Sequence, residues 1–177
     1  MTTPLITNKP EFLNNATEFF HTILGPALEN GCGDIEIRVF PKAGYPQSLF
    51  FSSESDAAEK AYDLCKERID VYFGSNPRMG NGGKKDNVKY ICAFHADLDY
   101  GAEGHKKKSK YANHESALNA IYQFPLQPTV LVYTGGGFHC YWVLMNPLKV
   151  ADYGLEILEG INKGLSIALG ADSTYDI

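Results

Sequence analysis

Two aspartates at the end of an apolar segment have the spacing of a metal site, in the sequence His95-Ala96-Asp97-Leu98-Asp99. Alternate side chains of a strand share a face, so His95, Asp97 and Asp99 are expected on one side and the apolar residues on the other. The Cα atoms of two such residues lie about 7 Å apart, so both carboxylates can reach one or two hard cations. Mg²⁺ and Mn²⁺ prefer oxygen ligands, so the pattern predicts a site for two divalent ions.

A glycine-rich turn is the second candidate site, and it reads Thr134-Gly-Gly-Gly-Phe-His139. Glycines between two strands allow positive φ and close backbone approach, and their N–H groups can surround an anion. His139 lies two residues into the returning strand, so its imidazole is expected over the same turn. Thr134, Gly136, Gly137 and His139 are therefore predicted to bind phosphate.

Basic residues are concentrated in one part of a chain whose net charge is −5. Half of the 16 lie between positions 78 and 110, namely Arg78, Lys84, Lys85, Lys89, Lys106, Lys107, Lys108 and Lys110. Arg78 offers a planar fork suited to phosphate, and the lysines can follow a nucleic-acid backbone. Solvated loops are the alternative interpretation of these charges.

Apolar periodicity predicts a mixture of helices and strands. The helices are expected at 10–28, 54–68, 114–124 and 150–169, and the strands at 34–40, 48–52, 69–73, 88–98, 129–133 and 138–144. The segment 74–87 is expected to be an exposed loop. This order indicates an α+β (α/β) fold with mainly antiparallel sheets.

Several classes of protein are disfavoured by composition. The four cysteines, Cys32, Cys65, Cys92 and Cys140, form no C-x-x-C pair, which argues against a zinc ribbon or a disulfide framework. No apolar run approaches the about 20 residues of a membrane helix, and no secretory signal is visible. We therefore expect a cytoplasmic protein without a membrane partner.

A strand is expected to begin near Asp172, close to the last residue, which favours truncation at the C-terminus.

Taken together, these motifs resemble those of the archaeo-eukaryotic primase (AEP) superfamily, in particular the primase-polymerases of phages and plasmids. The first family motif, D-x-D at a strand end, is matched by Asp97 and Asp99. The second, a small residue, any residue and then His, is matched by Gly137 and His139. The third, an Asp opening a strand, is matched best by Asp172.

The resemblance spans roughly residues 35–177 and includes the segment 72–85, which looks like one common in phage-type members. It implies one catalytic domain over 1–177, with an N-terminal α/β lobe at about 1–75 and an RRM-like lobe at about 76–177. In such a domain Asp97, Asp99 and Asp172 would bind two Mg²⁺ or Mn²⁺ ions and catalyse nucleotidyl transfer.

The resemblance also implies substrates and partners. His139, with Gly137, Gly136, Thr134 and Arg78, would contact an incoming NTP or dNTP. A single-stranded DNA template would lie along Lys84, Lys85, Lys106, Lys107 and Lys108, and a helicase domain or protein is an expected partner.

Two other functions stay open at this stage. His95, Asp97, Asp99 and His139 would also suit a metal-dependent phosphoesterase or nuclease. An RRM-like module that binds nucleic acid without catalysis is the non-enzymatic alternative. A rolling-circle nickase is less favoured, because the strand of His139 carries one histidine where that mechanism needs a pair.

Overall fold

The computed structural model describes residues 8–41, 44–101 and 109–171. The helices are α1 (Lys9–Glu29), α2 (Glu54–Lys66), α3 (His114–Gln123), α4 (Val150–Tyr153) and α5 (Leu155–Leu169). The strands are β1 (Ile35–Val39), β2 (Gln47–Phe51), β3 (Val71–Phe73), β4 (Tyr90–Asp99), β5 (Val130–Tyr133) and β6 (Gly137–Lys149). Within the described ranges, no helix is long and apolar enough to cross a bilayer.

Three of the helices begin where polar side chains cap their first turn. Asn8 accepts the Glu11 N–H at the start of α1, and Ser53 caps α2 in the same way. Asn113 and Ser116 form a reciprocal capping box at α3. Because these bonds satisfy backbone donors that a helix leaves unpaired, the helix starts are well defined by sequence.

The strands form two sheets of three strands, in the orders β2-β1-β3 and β4-β6-β5. β1 is antiparallel to both of its neighbours, and β5 is antiparallel to β6. The α+β fold with mainly antiparallel sheets, predicted from the sequence, is therefore confirmed.

The chain divides into two compact units, each with its own core. The first comprises Met1–Cys92 and Met145–Lys149, and the second comprises Ala93–Leu144 and Val150–Ile177. Fully buried residues of the first unit include Ile23, Leu24 and Ile37, and those of the second include Leu98 and Cys140. The single domain and the lobe boundary near residue 75 stay predictions.

Two elements differ most from the sequence prediction. β6 continues to Lys149, beyond the predicted end at 144. The helix predicted over 150–169 is interrupted at Gly154, whose φ of +84° is incompatible with a right-handed helix and separates α4 from α5.

The segment 74–87 is only in part the exposed loop that its composition predicted, because 79–81 and 84–86 are exposed whereas 74 and 76–78 are buried. Asn76 is fully buried, and its Oδ1 accepts the Cys92 N–H at 2.7 Å. Arg78 exchanges two backbone hydrogen bonds with Asp34, at 2.8 and 2.9 Å. Met79 donates to the Asn87 carbonyl at 2.8 Å. Hydrogen bonds of Asn76 and Arg78 to residues distant in sequence therefore order the first part of a segment that local sequence assigns to solvent.

Candidate active site

The D-x-D pair lies at the end of β4, with alternating side chains as predicted. Ala96 is 2% exposed and Leu98 is fully buried, so one face of the strand packs into the core of the second unit. His95, Asp97 and Asp99 share the other face and are only partly buried. The strand therefore presents two carboxylates side by side where solvent can reach them.

His139 meets the first of these carboxylates. It lies near the start of β6 and pairs with Val132 of β5. Its Nε2 is 3.5 Å from Asp97 Oδ1, and the two side chains are 42% and 44% exposed. This distance exceeds that of an ordinary N–H···O bond, about 2.9–3.0 Å. The two predicted motifs therefore lie together on one face of the sheet, in a contact open to solvent.

Gly137 lets β4 and β6 approach each other closely. A Cβ at this position would lie 2.5 Å from the Leu98 carbonyl oxygen and 2.9 Å from Asp99 Oδ1. Real Cβ atoms do not come so close to backbone, so only glycine fits. Gly137 thus has a packing role beside the D-x-D pair, and its predicted contact with a nucleotide stays a prediction.

Two backbone hydrogen bonds hold the glycine turn. The Thr134 N–H donates to the Gly137 carbonyl at 3.0 Å, and the Tyr100 N–H donates to that of Gly136 at 3.1 Å. Gly135 has a φ of +92°, which favours glycine. Thr134 and Gly135 are exposed. The turn therefore stands next to the strand end that carries the aspartates.

Two further side chains on this face remain uncharged near neutral pH. Burial, and secondarily the charge of His139, lowers the pKa of His95 to about 4. Burial, and secondarily the charge of Asp97, raises the pKa of Tyr141. The Tyr141 hydroxyl lies 3.5 Å from Nδ1 of His139. Sequence reasoning missed Tyr141, although its place two residues after His139 puts it on the same face of β6.

The sequence prediction did not include Asn162 either. It is 1% exposed on α5, and its Oδ1 accepts the His95 N–H at 2.7 Å. Because β4 is an edge strand of its sheet, this bond satisfies a backbone donor that would otherwise be buried without a partner. A polar residue among the apolar residues that α5 buries, such as Leu158 and Leu169, is the sequence signal for it.

Arg78 lies in the first unit and has a structural partner there. It is 7% exposed, and its Nε donates to Glu36 Oε2 at 2.8 Å. Burial alone would raise the pKa of Glu36, which is 1% exposed, but bonds from Ser48, Arg78 and Arg38 hold the pKa below its usual value. The predicted contact of Arg78 with a nucleotide stays a prediction, and its guanidinium is already engaged by a carboxylate.

The remaining predicted residues fall into two groups. Lys84 and Lys85 are exposed beside a short 3₁₀ turn, Lys85–Asn87. Four others lie outside the described residues, namely Asp172, Lys106, Lys107 and Lys108.

Asp97 and Asp99 have the donor chemistry for Mg²⁺ or Mn²⁺. Within the described ranges, no group of three or more His, Cys, Asp or Glu side chains could hold a metal. Mg²⁺ is usually held by one or two carboxylates plus substrate phosphates and waters, so a pair of aspartates fits this ion.

The chain has the fold of an AEP domain. It superimposes on the AEP domain of the primase-polymerase of cyanophage S-2L with a TM-score of 0.60. The alignment covers 92% of this chain and 76% of that chain, at 14% sequence identity. No protein-family model matches the sequence, and no curated protein matches it. The likeness at this identity concerns the fold.

Proposed function

We propose that this chain is the catalytic core of a DNA-dependent primase-polymerase. It would transfer nucleotides from NTP or dNTP to a 3′-hydroxyl on a single-stranded DNA template, and would also synthesise primers. The observation that carries the proposal is the contact of Asp97 with His139 at 3.5 Å, which joins the two motifs on one face. A phage primase-polymerase domain with the same fold supports it.

In this reaction the 3′-hydroxyl oxygen forms a bond to the α-phosphorus, and the bond to the pyrophosphate leaving group breaks. Asp97, Asp99 and Asp172 would hold two Mg²⁺ or Mn²⁺ ions. When bound, such ions neutralise developing charge on the attacking and leaving oxygens. The protein contributes mainly position and charge, as in other phosphoryl transfers.

In this proposal His139 donates to a phosphate of the nucleotide. Because burial keeps the Tyr141 phenol protonated, its hydroxyl can donate toward Nδ1 of His139, 3.5 Å away. In the tautomer that accepts from this hydroxyl, the ring proton lies on Nε2, the nitrogen that faces Asp97. From there it can donate to a phosphate oxygen lying beside the carboxylate, which positions the triphosphate over the D-x-D pair.

The template would be held through its phosphates. Exposed Lys84 and Lys85 offer point charges on the first unit, and Lys106, Lys107 and Lys108 carry the same charge in the sequence. Such contacts weaken steeply as the salt concentration rises.

The proposal also includes a helicase domain or a helicase protein as a partner.

The test is a substrate comparison on one preparation. Primed and unprimed single-stranded DNA are incubated with NTPs or dNTPs and Mn²⁺ or Mg²⁺, and phosphomonoesters and phosphodiesters are offered in parallel. We expect template-dependent nucleotide addition that stops on chelation of the metal. The Asp99→Asn variant should lose it, whereas Asp152→Asn, which alters an exposed carboxylate on α4, should retain it.

Two results would contradict the proposal and identify the alternatives. Hydrolysis of phosphoesters without nucleotide addition would assign the site to a metal-dependent phosphoesterase or nuclease. DNA binding that is independent of metal, with neither activity, would assign the fold to an RRM-like binding module.

A further inference from the structure

Two tyrosine hydroxyls converge on a single carbonyl of the glycine turn. Tyr100 directly follows Asp99, and Tyr133 is the last residue of β5. The Tyr100 hydroxyl lies 3.0 Å from the Gly135 carbonyl oxygen, and the Tyr133 hydroxyl lies 3.1 Å from it. The two hydroxyl oxygens are themselves 3.1 Å apart. Since they cannot both donate to each other, at least one is always available to donate to the carbonyl.

The hydroxyls approach from the face of the sheet opposite His139. Tyr133 pairs directly with Phe138, so their side chains share a face, and His139 projects from the other. The rings of Tyr133 and Tyr100 lie 5.6 and 6.1 Å from that of Phe138. The Gly135 carbonyl is therefore held toward this aromatic cluster.

A trans peptide fixes where the neighbouring donor points. The described part of the chain has no cis peptide bond. The carbonyl of a trans peptide and the N–H that follows it point in opposite directions. The Gly136 N–H therefore points away from the tyrosines and toward the face that carries His139. Among the described residues, none accepts a hydrogen bond from it.

We propose that Tyr100 and Tyr133 are positioning residues that orient the Gly136 N–H toward the triphosphate of an incoming nucleotide. The inference rests on the proposed function and adds to it the residues that shape the phosphate site. Gly136 would donate from the backbone, and His139 would donate beside it from the same face. Neither tyrosine need touch the nucleotide.

The hydroxyls can be removed without removing the rings. Tyr133 is 58% exposed, and both rings keep their contacts with Phe138 when tyrosine becomes phenylalanine. The double variant Tyr100→Phe/Tyr133→Phe is the informative one, because either hydroxyl alone can hold the carbonyl. Tyr122→Phe is the matched control, since Tyr122 is 63% exposed on α3 and outside this cluster.

The experiment measures nucleotide affinity directly and through kinetics. Calorimetry gives the Kd for a nucleoside triphosphate, and primer extension gives KM and kcat. In the double variant we expect Kd and KM to rise about fivefold or more, in line with a weakened hydrogen bond to a charged group. The value of kcat should change little in the double variant. The Kd and KM of each single variant and of the control should also change little. The ¹⁵N–¹H signal of Gly136 should shift when triphosphate is added to the unaltered protein, and less so in the double variant.

Each outcome separates this inference from the proposed function. Polymerisation with an unchanged KM in the double variant would overturn the positioning role and leave the polymerase standing. Triphosphate binding that the double variant weakens, in a protein that does not polymerise, would support the positioning role and remove the polymerase. A protein that binds no triphosphate would overturn both.

Discussion

The two units contain acidic and basic side chains in contact, but in opposite environments. In the first unit Glu36 is 1% exposed and binds Arg38 and Arg78 at 2.7 and 2.8 Å. In the second, Asp97 and His139 are more than 40% exposed and stand 3.5 Å apart. In the first cluster the ion-pair distances are short and the carboxylate is buried. In the second the distance is longer and both side chains can be reached by solvent.

This difference indicates what each cluster is for. A buried carboxylate must be compensated by hydrogen bonds and opposite charge, and Glu36 obtains both from three side chains. Removing one partner from such a group is costly. A half-exposed pair contributes little to stability and can exchange its contacts for those of a ligand. We therefore expect changes in the first cluster to affect folding and changes in the second to affect activity.

The largest effect on stability is expected from Glu36→Gln, which leaves Arg38 and Arg78 without their carboxylate. The free energy of unfolding should fall by about 3–5 kcal/mol, measured by urea denaturation. Glu59→Gln is the matched control, because Glu59 forms an exposed ion pair with Lys9 at 3.0 Å, and it should change the midpoint little. Equal urea midpoints for Glu36→Gln and Glu59→Gln would contradict the difference in stability expected between a buried and an exposed ion pair.

A smaller loss of stability is expected from Gly137→Ala, which forces β4 and β6 apart beside Asp99. The clash with the Leu98 carbonyl should cost about 1–3 kcal/mol and should also lower nucleotide addition. Gly160→Ala is the control, because a Cβ there meets nothing within 4 Å and Ala is the better helix former. Thermal melts of both variants test this, and a Gly137→Ala protein as stable as Gly160→Ala would show that the close approach is not needed.

His139→Ala should affect substrate binding rather than folding. Loss of one donor to a charged phosphate predicts a rise in the KM for nucleotide of about tenfold or more, with the melting temperature unchanged. Steady-state primer extension gives the value. An unchanged KM would remove His139 from the nucleotide site.

The smallest effect concerns pH. Because the pKa of folded Glu36 lies below its ordinary value of 4.5, the unfolded chain binds more protons as the medium is acidified. The stability that Glu36 contributes is therefore complete above about pH 4.5 and is lost as pH falls through the folded pKa. Urea denaturation between pH 7 and 3 should show a shallower acid loss in Glu36→Gln. If the unaltered protein and Glu36→Gln lose stability equally as the pH falls, the acid sensitivity belongs to other groups.

Much of the fold could be predicted because its signals are local. Apolar periodicity predicted α1, α2 and α3, and alternation predicted that Asp97 and Asp99 would share a face. The meeting of Asp97 with His139 followed from the family resemblance, since no local pattern relates residues on different strands.

The buried polar residues could not be predicted, because their partners are distant in sequence. Glu36 alternates with the apolar residues of β1, which predicts a solvent-facing side chain. Its compensation comes from Arg78, 42 positions away. Asn76 and Asn162 likewise bind backbone donors of β4 that only the tertiary structure brings to them.

The central claim is that Asp97 belongs to a catalytic site and not to a structural ion pair. The most direct test measures nucleotide addition and the free energy of unfolding on the same preparation of Asp97→Asn. We predict a loss of activity of at least about 100-fold, because in the proposed site this carboxylate would hold a cation that supplies several kcal/mol to the transition state, with stability unchanged within about 1 kcal/mol. A variant that still extends primers at the original rate, or one that loses activity only because it unfolds, would contradict the account.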